Sequence, residues 1–333
     1  MSNKKLIALA VAVAFATPVA MANVTLYGKV HADIKLSDDG NNKKWSINSN
    51  TSRLGFKGKA DLGNGMQAIF KYETVYDGLD DSETLGKPRN SYIGLSGSKG
   101  TLLVGRHDTP AKMAFSAAGN DHLSSSIIDF DKIDKATKAA FTKRRLNNSV
   151  IYIAPSFSSF TVAVAAMPGE ETGGDNDENG LIDSYSLGLI YKGQGIKVGA
   201  GYEHIADTTD TSISPADYDA KTFQIGGSYT FNNITVGAQF ENTKNYKHNE
   251  KKTKKVMGIS SKVTFGNNAL IANYGQQDMK ETSISGSDVT SKNIGLAVQQ
   301  KLSKHTKAYI AFNKEETEDI YRNNIAVGMI HKF

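Results

Sequence analysis

From Asn23 onward, apolar and polar residues alternate with a period of two almost everywhere, and Gly, Asn, Asp and Ser fall at the breaks. The first segment shows it best: Val24, Leu26, Gly28, Val30, Ala32, Ile34 and Leu36 share one face, while Thr25, Tyr27, Lys29, His31, Asp33 and Lys35 share the other. Such alternation suits a half-buried strand of a soluble sandwich as well as a strand in lipid, so it predicts sheet without choosing between the two. The connections choose. Sixteen candidate strands are joined by short turns at 60–65, 97–100, 155–159, 192–195, 231–233, 265–269 and 302–305, and by long polar loops at 37–50, 77–88, 107–144, 168–183, 206–220, 243–255, 278–290 and 314–322. Short and long connections alternate strictly. A Greek-key sandwich does not segregate its connections in this way, whereas an up-and-down transmembrane barrel with short periplasmic turns and long external loops does.

Burial energetics assigns the faces. A Lys or Arg facing lipid at mid-depth costs about 2–4 kcal/mol, so the lysines of each strand face a water-filled interior. This places Ile196, Val198, Ala200 and Tyr202 outward with Lys197, Gly199, Gly201 and Glu203 inward. It also places Phe223, Ile225, Gly227, Tyr229 and Phe231 outward, followed by Ile234, Val236, Ala238 and Phe240, and it predicts an interior that is polar throughout. On the fourth strand the same alternation sends Asn90, Tyr92, Gly94 and Ser96 outward, a polar surface that suggests coverage by another subunit. The last strand, ending at Phe333, is expected to pair with the one starting near Val24, because an open edge cannot be left in lipid.

Composition narrows the compartment and the chemistry. Lys4 and Lys5, the apolar run 6–16 and Ala20-Met21-Ala22 read as an export signal over residues 1–22, leaving 23–333 as one barrel domain. The 39 Lys and Arg, less the two lysines of that segment, stand against 34 Asp and Glu, a mature net charge of +3. The surplus is spread along the chain and gives no reason to expect nucleic acid as a partner. The absence of cysteine removes thiol catalysis, disulfides and thiolate metal sites. The seven histidines are scattered one to a segment, and neither G-x-S-x-G nor H-E-x-x-H occurs. No enzyme, cofactor or metal site is therefore expected.

Several stretches carry a more specific signal: Val24-Thr25-Leu26-Tyr27-Gly28, Ser52-Arg53-Leu54-Gly55-Phe56-Lys57-Gly58 followed by Asp61-Leu62-Gly63-Asn64-Gly65, Ser91 to Gly97, Gly105-Arg106, Asn148 to Tyr152, and the terminal His331-Lys332-Phe333. At these residues the chain resembles the Gram-negative general porins, the neisserial type above all. The resemblance implies a 16-stranded antiparallel barrel of the bacterial outer membrane, a homotrimer, and passive diffusion of ions and small hydrophilic solutes. It also implies a third external loop folded inward, with loop acids facing a basic wall.

Segment 107–144 is that third loop. Asp108-Thr109-Pro110 predicts a helix over 111–118, and 136–141 is a candidate for a second. Its acids, Asp121, Asp129, Asp131 and Asp134, are the candidates for the constriction. By strand parity Lys29, Arg53, Lys71 and Arg145 face inward as a basic wall, and Arg89 matches the family's wall arginine. Arg106 has outward parity, which suits a subunit contact or a loop anchor. The lysine-rich stretch 244–255 reads as a solvated face, with contact to lipopolysaccharide phosphates or to host surfaces as the functional alternative. The competing reading is an outer-membrane adhesin or receptor barrel whose lumen is plugged.

Overall fold

The computed structural model describes residues 23–77, 84–134, 139–169, 180–206, 219–245, 252–281, 288–318 and 320–333. The signal segment 1–22 and the tips of most long loops lie outside them. The chain is almost all sheet. In order, the strands are β1 (Asn23–Asp38), β2 (Lys43–Ser49), β3 (Arg53–Gly63), β4 (Met66–Asp77), β5 (Thr84–Pro88), β6 (Ser91–Gly97) and β7 (Gly100–Asp108), followed by helix α1 (Pro110–Ala117). Then come β8 (Lys132–Asp134), β9 (Ala139–Ala140), β10 (Arg145–Ile153), β11 (Phe160–Met167), β12 (Ser184–Gly193), β13 (Ile196–Ile205) and β14 (Ala220–Phe231). The last six are β15 (Ile234–Lys244), β16 (Lys252–Phe265), β17 (Asn268–Glu281), β18 (Val289–Lys301), β19 (Thr306–Thr317) and β20 (Ile320–Lys332).

Every strand except β8 and β9 joins one antiparallel sheet. β2 and β3 pair with the two halves of β1, and β5 and β6 pair with the two halves of β4, so each couple is a single stave broken once. The sheet is therefore a sixteen-stave barrel. β20 closes it against β1, from Lys29 opposite Lys332 to Asp38 opposite Asn323, and the main chains of Gly28 and Phe333 exchange hydrogen bonds of 3.0 and 3.2 Å. Closure leaves no unpaired edge to be desolvated. No helix among the described residues is long and apolar enough to cross a membrane, so the strands do the crossing.

Outside, the barrel exposes Leu26, Ile34, Phe56, Ile93, Leu187, Phe223, Ile259, Leu296 and Ile325, among others. This apolar skin is what lipid solvates and water does not. The inner face departs from expectation. It is polar along much of its length, but Ile271, Ala297, Tyr309, Ala311 and Ala326 form an apolar patch on which Leu123, Ile127 and Ile128 sit. A second strip joins Leu103, Leu146, Ile151, Ala165, Met167 and Ile205. The interior is not polar throughout because part of it is a docking surface for the chain's own long loop.

Several loops are shorter than the alternation suggests. β2 occupies most of 37–50, and β15 to β20 run past the expected strand ends, β19 to Thr317 and β20 from Ile320. At the ends of β15 to β20 both faces of a strand meet water beyond the lipid, so the apolar half of the pattern disappears while the hydrogen-bond ladder continues; β2 instead carries Trp45 and Ile47 outward, opposite Leu36 and Ile34. In the third loop α1 forms as expected, with Thr109 Oγ1 accepting from the Lys112 backbone N–H at 3.3 Å and Pro110 at the first position. The second candidate helix is not formed at its described end: Ala139–Ala140 is the strand β9, paired with β8, and 135–138 lie outside the described residues.

The parity of the fourth strand is reversed. Ile93 and Leu95 are exposed, while Tyr92 packs on the inner apolar strip and Asn90 is buried. The cause is a one-residue bulge: Lys71 faces Tyr92, but Thr74 faces Pro88, so three steps on β4 match four on its partner. A shift of one residue exchanges the two faces of a strand. Asn90, Tyr92, Gly94 and Ser96 therefore do not make a polar outer surface.

Helix α1 is seated where the wall has no side chains. A Cβ added at Gly199 would collide with Ala114 O, one at Gly201 with Ala111, and one at Gly188 with Pro110 O. Substituting Gly199 by Val is expected to lift α1 from the wall without disturbing the ladder. Limited proteolysis within 109–131 should then run several-fold faster, while the heat-dependent gel mobility of a closed barrel is kept; unchanged cleavage would show that the seat does not hold the helix.

Candidate functional site

The candidate site has two facing parts, the basic wall on β1–β6 and the segment 108–144 that returns across the inner face. On the wall, Tyr27 and Lys29 of β1, Arg53 and Lys57 of β3, and Lys71 and Glu73 of β4 share one face, as the registers Tyr27–Gly55, Lys29–Arg53, Gly55–Glu73 and Lys57–Lys71 require. Glu73 is their centre. Its carboxylate accepts from Arg89 Nε at 2.5 Å and from the Tyr27 hydroxyl at 2.9 Å, and lies 3.3 Å from Lys71 Nζ and 3.9 Å from Arg53 Nε. Lys57 and Lys71 stand over the Tyr27 ring at 5.4 and 5.5 Å. Lys29, largely buried, donates to Asn50 O at 3.3 Å. Three cations on one carboxylate fix its geometry and leave the group with an excess of positive charge.

The bulges position this wall. Arg53 follows the break between β2 and β3, where Thr51 has φ 60°, and Arg89 sits in the break between β5 and β6. Arg53 follows the alternation of β3, whereas the break at Arg89 turns that side chain out of the alternation and toward Glu73. A third irregularity, between Leu146 and Ser149, undoes the parity by which Arg145 was assigned inward. The Arg145 side chain nonetheless reaches the wall through Asn90 Oδ1 at 2.5 Å and Asp108 Oδ1 at 2.7 Å. Asp108 also pairs with Lys112 at 2.7 Å, coupling the first turn of α1 to the wall. Arg106 donates to Pro88 O at 3.2 Å and Asn147 Oδ1 at 2.7 Å, the loop anchor that its parity suggested.

The returning segment is held at both ends by buried carboxylates. Glu203 accepts from Thr109 Oγ1 at 3.3 Å. Glu241 accepts from the Thr142 backbone N–H at 2.5 Å and its hydroxyl at 2.7 Å, from Gln224 at 2.7 Å, and from Lys254 Nζ at 2.7 Å. Glu241 and Lys254 are almost wholly buried, and removing one member of such a pair typically costs about 3–5 kcal/mol. Between the ends, wall side chains satisfy the carbonyls that close α1: Gln239 donates to Phe115 O at 3.2 Å and Ser228 to Ala118 O at 2.5 Å. Phe115, Phe130 and Phe141 pack together against Val256.

The loop acids are not ranged singly against the arginines. Asp121, Asp129 and Asp131 lie together, with carboxylate oxygens within 4.8 Å of one another, and Lys143 pairs with Asp131. Asp129 is further tied by the Ser125 and Asp131 N–H groups at 3.0 and 3.1 Å. Burial, reinforced by the neighbouring acids, pushes the Asp121 carboxyl well above the usual range, and burial also raises Asp131, against the pull of Lys143. Burial opposes the charge on Lys143, but the three carboxylates outweigh it and raise its ammonium above the ordinary lysine value. The backbone of Asp134 is in β8, and its side chain lies outside the described residues. The structure thus brings Arg53, Lys71 and Arg89 together on Glu73, joins Arg145 to Asp108, and gathers three of the four acids on Lys143. Glu73, Asp108 and Tyr27 were missed from sequence, although Glu73 shares the parity of Lys71 two positions away and was legible on that ground.

Residues 8–320 match the family of Gram-negative porins. The major outer membrane protein P.IB of Neisseria gonorrhoeae is 26% identical over 363 aligned residues, covering 99% of this chain and 100% of the relative. Among solved structures, an anion-selective porin from Comamonas acidovorans superposes with a TM-score of 0.71 at 19% identity, over 94% of this chain and all of the other. The trimer form of OmpT, an outer membrane protein of Vibrio cholerae, gives 0.66 at 16% identity, over 94% of this chain and 99% of its own. With a closed sixteen-stave barrel, an apolar skin and a family match spanning nearly its whole length, the chain belongs to the Gram-negative porins, channels of the bacterial outer membrane.

Proposed function

We propose that the channel is constricted between the basic wall and the segment 109–131, and that it prefers anions. The observation that carries this reading is the imbalance of fixed charge among the described side chains: Lys29, Arg53, Lys57, Lys71, Arg89, Lys112 and Arg145 are answered by Glu73 and Asp108, while Asp121, Asp129 and Asp131 are occupied with one another and Lys143. Opposed fixed charges within about a Debye length, ~8 Å at physiological salt, are only partly screened, so a positive surplus at a narrowing raises local anion concentration and repels cations. Size exclusion follows from the seated loop. Transport is passive diffusion of ions and small hydrophilic solutes, with no catalytic step. The similarity to an anion-selective porin supports the same sign of preference.

The working assembly in this reading is a homotrimer, in keeping with the trimer form of the OmpT neighbour. Residues 1–22 are an export signal removed before the barrel 23–333 assembles, and outer-membrane lipid and lipopolysaccharide surround it. Phe333, through its main-chain pairing with Gly28, serves as the clasp of the barrel.

The test is the zero-current potential of the purified mature protein in a planar bilayer under a salt gradient, with the sign expected for anion preference. Glu73→Gln removes the wall's central negative charge, and the anion-to-cation permeability ratio should rise roughly twofold, in line with ~1 kcal/mol or less for a partly hydrated charge. A cation-selective potential, or a Glu73→Gln ratio that falls, would overturn the wall as the selective element. Folded barrel that carries no current would favour the plugged receptor.

The acid cluster gives a pH dependence. The raised Asp121 and Asp131 values mean that ionising them works against the packed loop, a cost absent at low pH and incurred as pH rises through those values. The raised Lys143 value has the opposite consequence: its charge stabilises the packed loop at neutral pH, and that stabilisation is lost only as pH rises through the raised value. In a Lys143→Met variant, loop opening should therefore increase conductance at about pH 7.5 and acidification toward about pH 5 should restore the wild-type step size, measured on single channels. A variant indistinguishable from wild type at both values would show that the cluster does not hold the loop.

A further inference from the structure

The outer wall carries a row of basic residues where the apolar skin ends. Across β12 to β17, on the outward face and at the loop end of the strands, register places Tyr185 opposite His204, His204 opposite Lys221, Lys221 opposite Lys244, Lys244 opposite Thr253, and Thr253 opposite Lys280. Phe223, two residues below Lys221, and Met257, two below Lys255, belong to the exposed apolar surface. Two residues span roughly 7 Å along a strand, so the lysines stand just beyond the hydrocarbon, at the depth of lipid headgroups.

Charge compensation in this row is uneven. His204 has Asp219 at 2.8 Å, and Lys280 has Asp288 at 3.9 Å. Lys255 faces Asp278, whose carboxylate accepts instead from Gln276 at 3.0 Å and Thr290 at 2.9 Å. Lys221 and Lys244, directly opposite one another and exposed, have no ion pair among the described residues. Like charges directly across an antiparallel pair destabilise the sheet, and facing side chains there start only about 4.5–5.5 Å apart at Cβ. The pair β18/β19, also at the loop end, shows the ordinary solution: Lys292 faces Glu316 and lies 3.5 Å from it. On β14 and β15 no described residue supplies the counter-charge.

We infer that Lys221 and Lys244, with Lys255 diagonally below them, hold a phosphate group of an anionic lipid headgroup against the outer wall. The inference rests on the outer-membrane placement of the barrel and not on the selectivity of its pore. The apolar surface beneath receives the acyl chains of the same lipid, so a lipid satisfies both halves of the site while a soluble anion satisfies one. A basic residue at a membrane surface is worth about fivefold in binding to an anionic lipid, and two of them about an order of magnitude or more.

Binding of diphosphoryl lipid A to the purified mature barrel in neutral detergent, followed by native mass spectrometry at about 50 mM and 300 mM salt, tests this. Lys221→Gln/Lys244→Gln is expected to weaken binding about tenfold at the lower salt, with Lys244→Gln alone intermediate and Lys292→Gln unchanged. Lipid A stripped of phosphate should bind wild type as weakly as diphosphoryl lipid A binds the double variant. Wild-type affinity in the double variant, equal binding of the dephosphorylated lipid, or displacement by low-millimolar inorganic phosphate would each overturn the lipid-phosphate site. Heat-dependent gel mobility reports whether each variant is folded. Single-channel conductance of the double variant should equal wild type, so a failure of the lipid site stays distinct from a failure of the channel reading.

Discussion

A strand in lipid has no water to hydrogen-bond with, and every other feature of this chain is arranged around that requirement. The ladder has to return to its beginning, and the joint at which it does so is the exchange between Gly28 and Phe333 together with the long β1–β20 register. Once closure is imposed, the two faces of every stave have fixed identities, one solvated by acyl chains and one turned to an enclosed space. Charge, polarity and side-chain size are then distributed according to which face a residue occupies. The surface properties of the molecule are consequences of a backbone constraint.

The enclosed space is not a passive tube lined by whatever polar residues are left over. Part of it is a mould. Missing side chains at Gly188, Gly199 and Gly201 receive α1, an apolar patch receives Leu123, Ile127 and Ile128, and two buried carboxylates grip Thr109 and Thr142. Steric fit, apolar contact and ionic hydrogen bonds act at separate points along the same segment. A long segment fixed at several points loses its conformational freedom once, and each further contact then comes at little added entropic cost.

Alternation and connection length made the barrel, its stave number and the lipid face of most strands readable from sequence, because Phe223, Ile225 and Tyr229 or Ile234, Val236 and Phe240 repeat with the pleat. What escaped that reading shares one cause. A period-two argument holds only while the ladder is unbroken and one face is in lipid. The extra residue at Arg89–Asn90 breaks the ladder, and it misassigned the fourth stave from Asn90 to Ser96. Above the bilayer, the ends of β15 to β20 have water on both faces and little pattern to read. Parity placed Arg53 on the inner face, but the meeting of Arg53 and Arg89 on Glu73 is a matter of side-chain reach across three staves, which parity does not encode. The association of Asp121, Asp129 and Asp131 with Lys143 depends on the path of an irregular segment, which no periodicity describes.

The glycine seats have a consequence for how such a protein changes over generations. In the proposed constriction, the width of the passage depends on how deeply a single segment sinks into its own wall, and that depth is set by positions that carry no charge. Replacing one hydrogen atom by a methyl group at Gly199 or Gly188 sets it against a backbone oxygen of the neighbouring segment, Ala114 O in the first case and Pro110 O in the second, and pushes that segment away from the wall. Heritable variation in what the cell admits can therefore arise from the smallest side chains in the barrel, with the selectivity groups untouched.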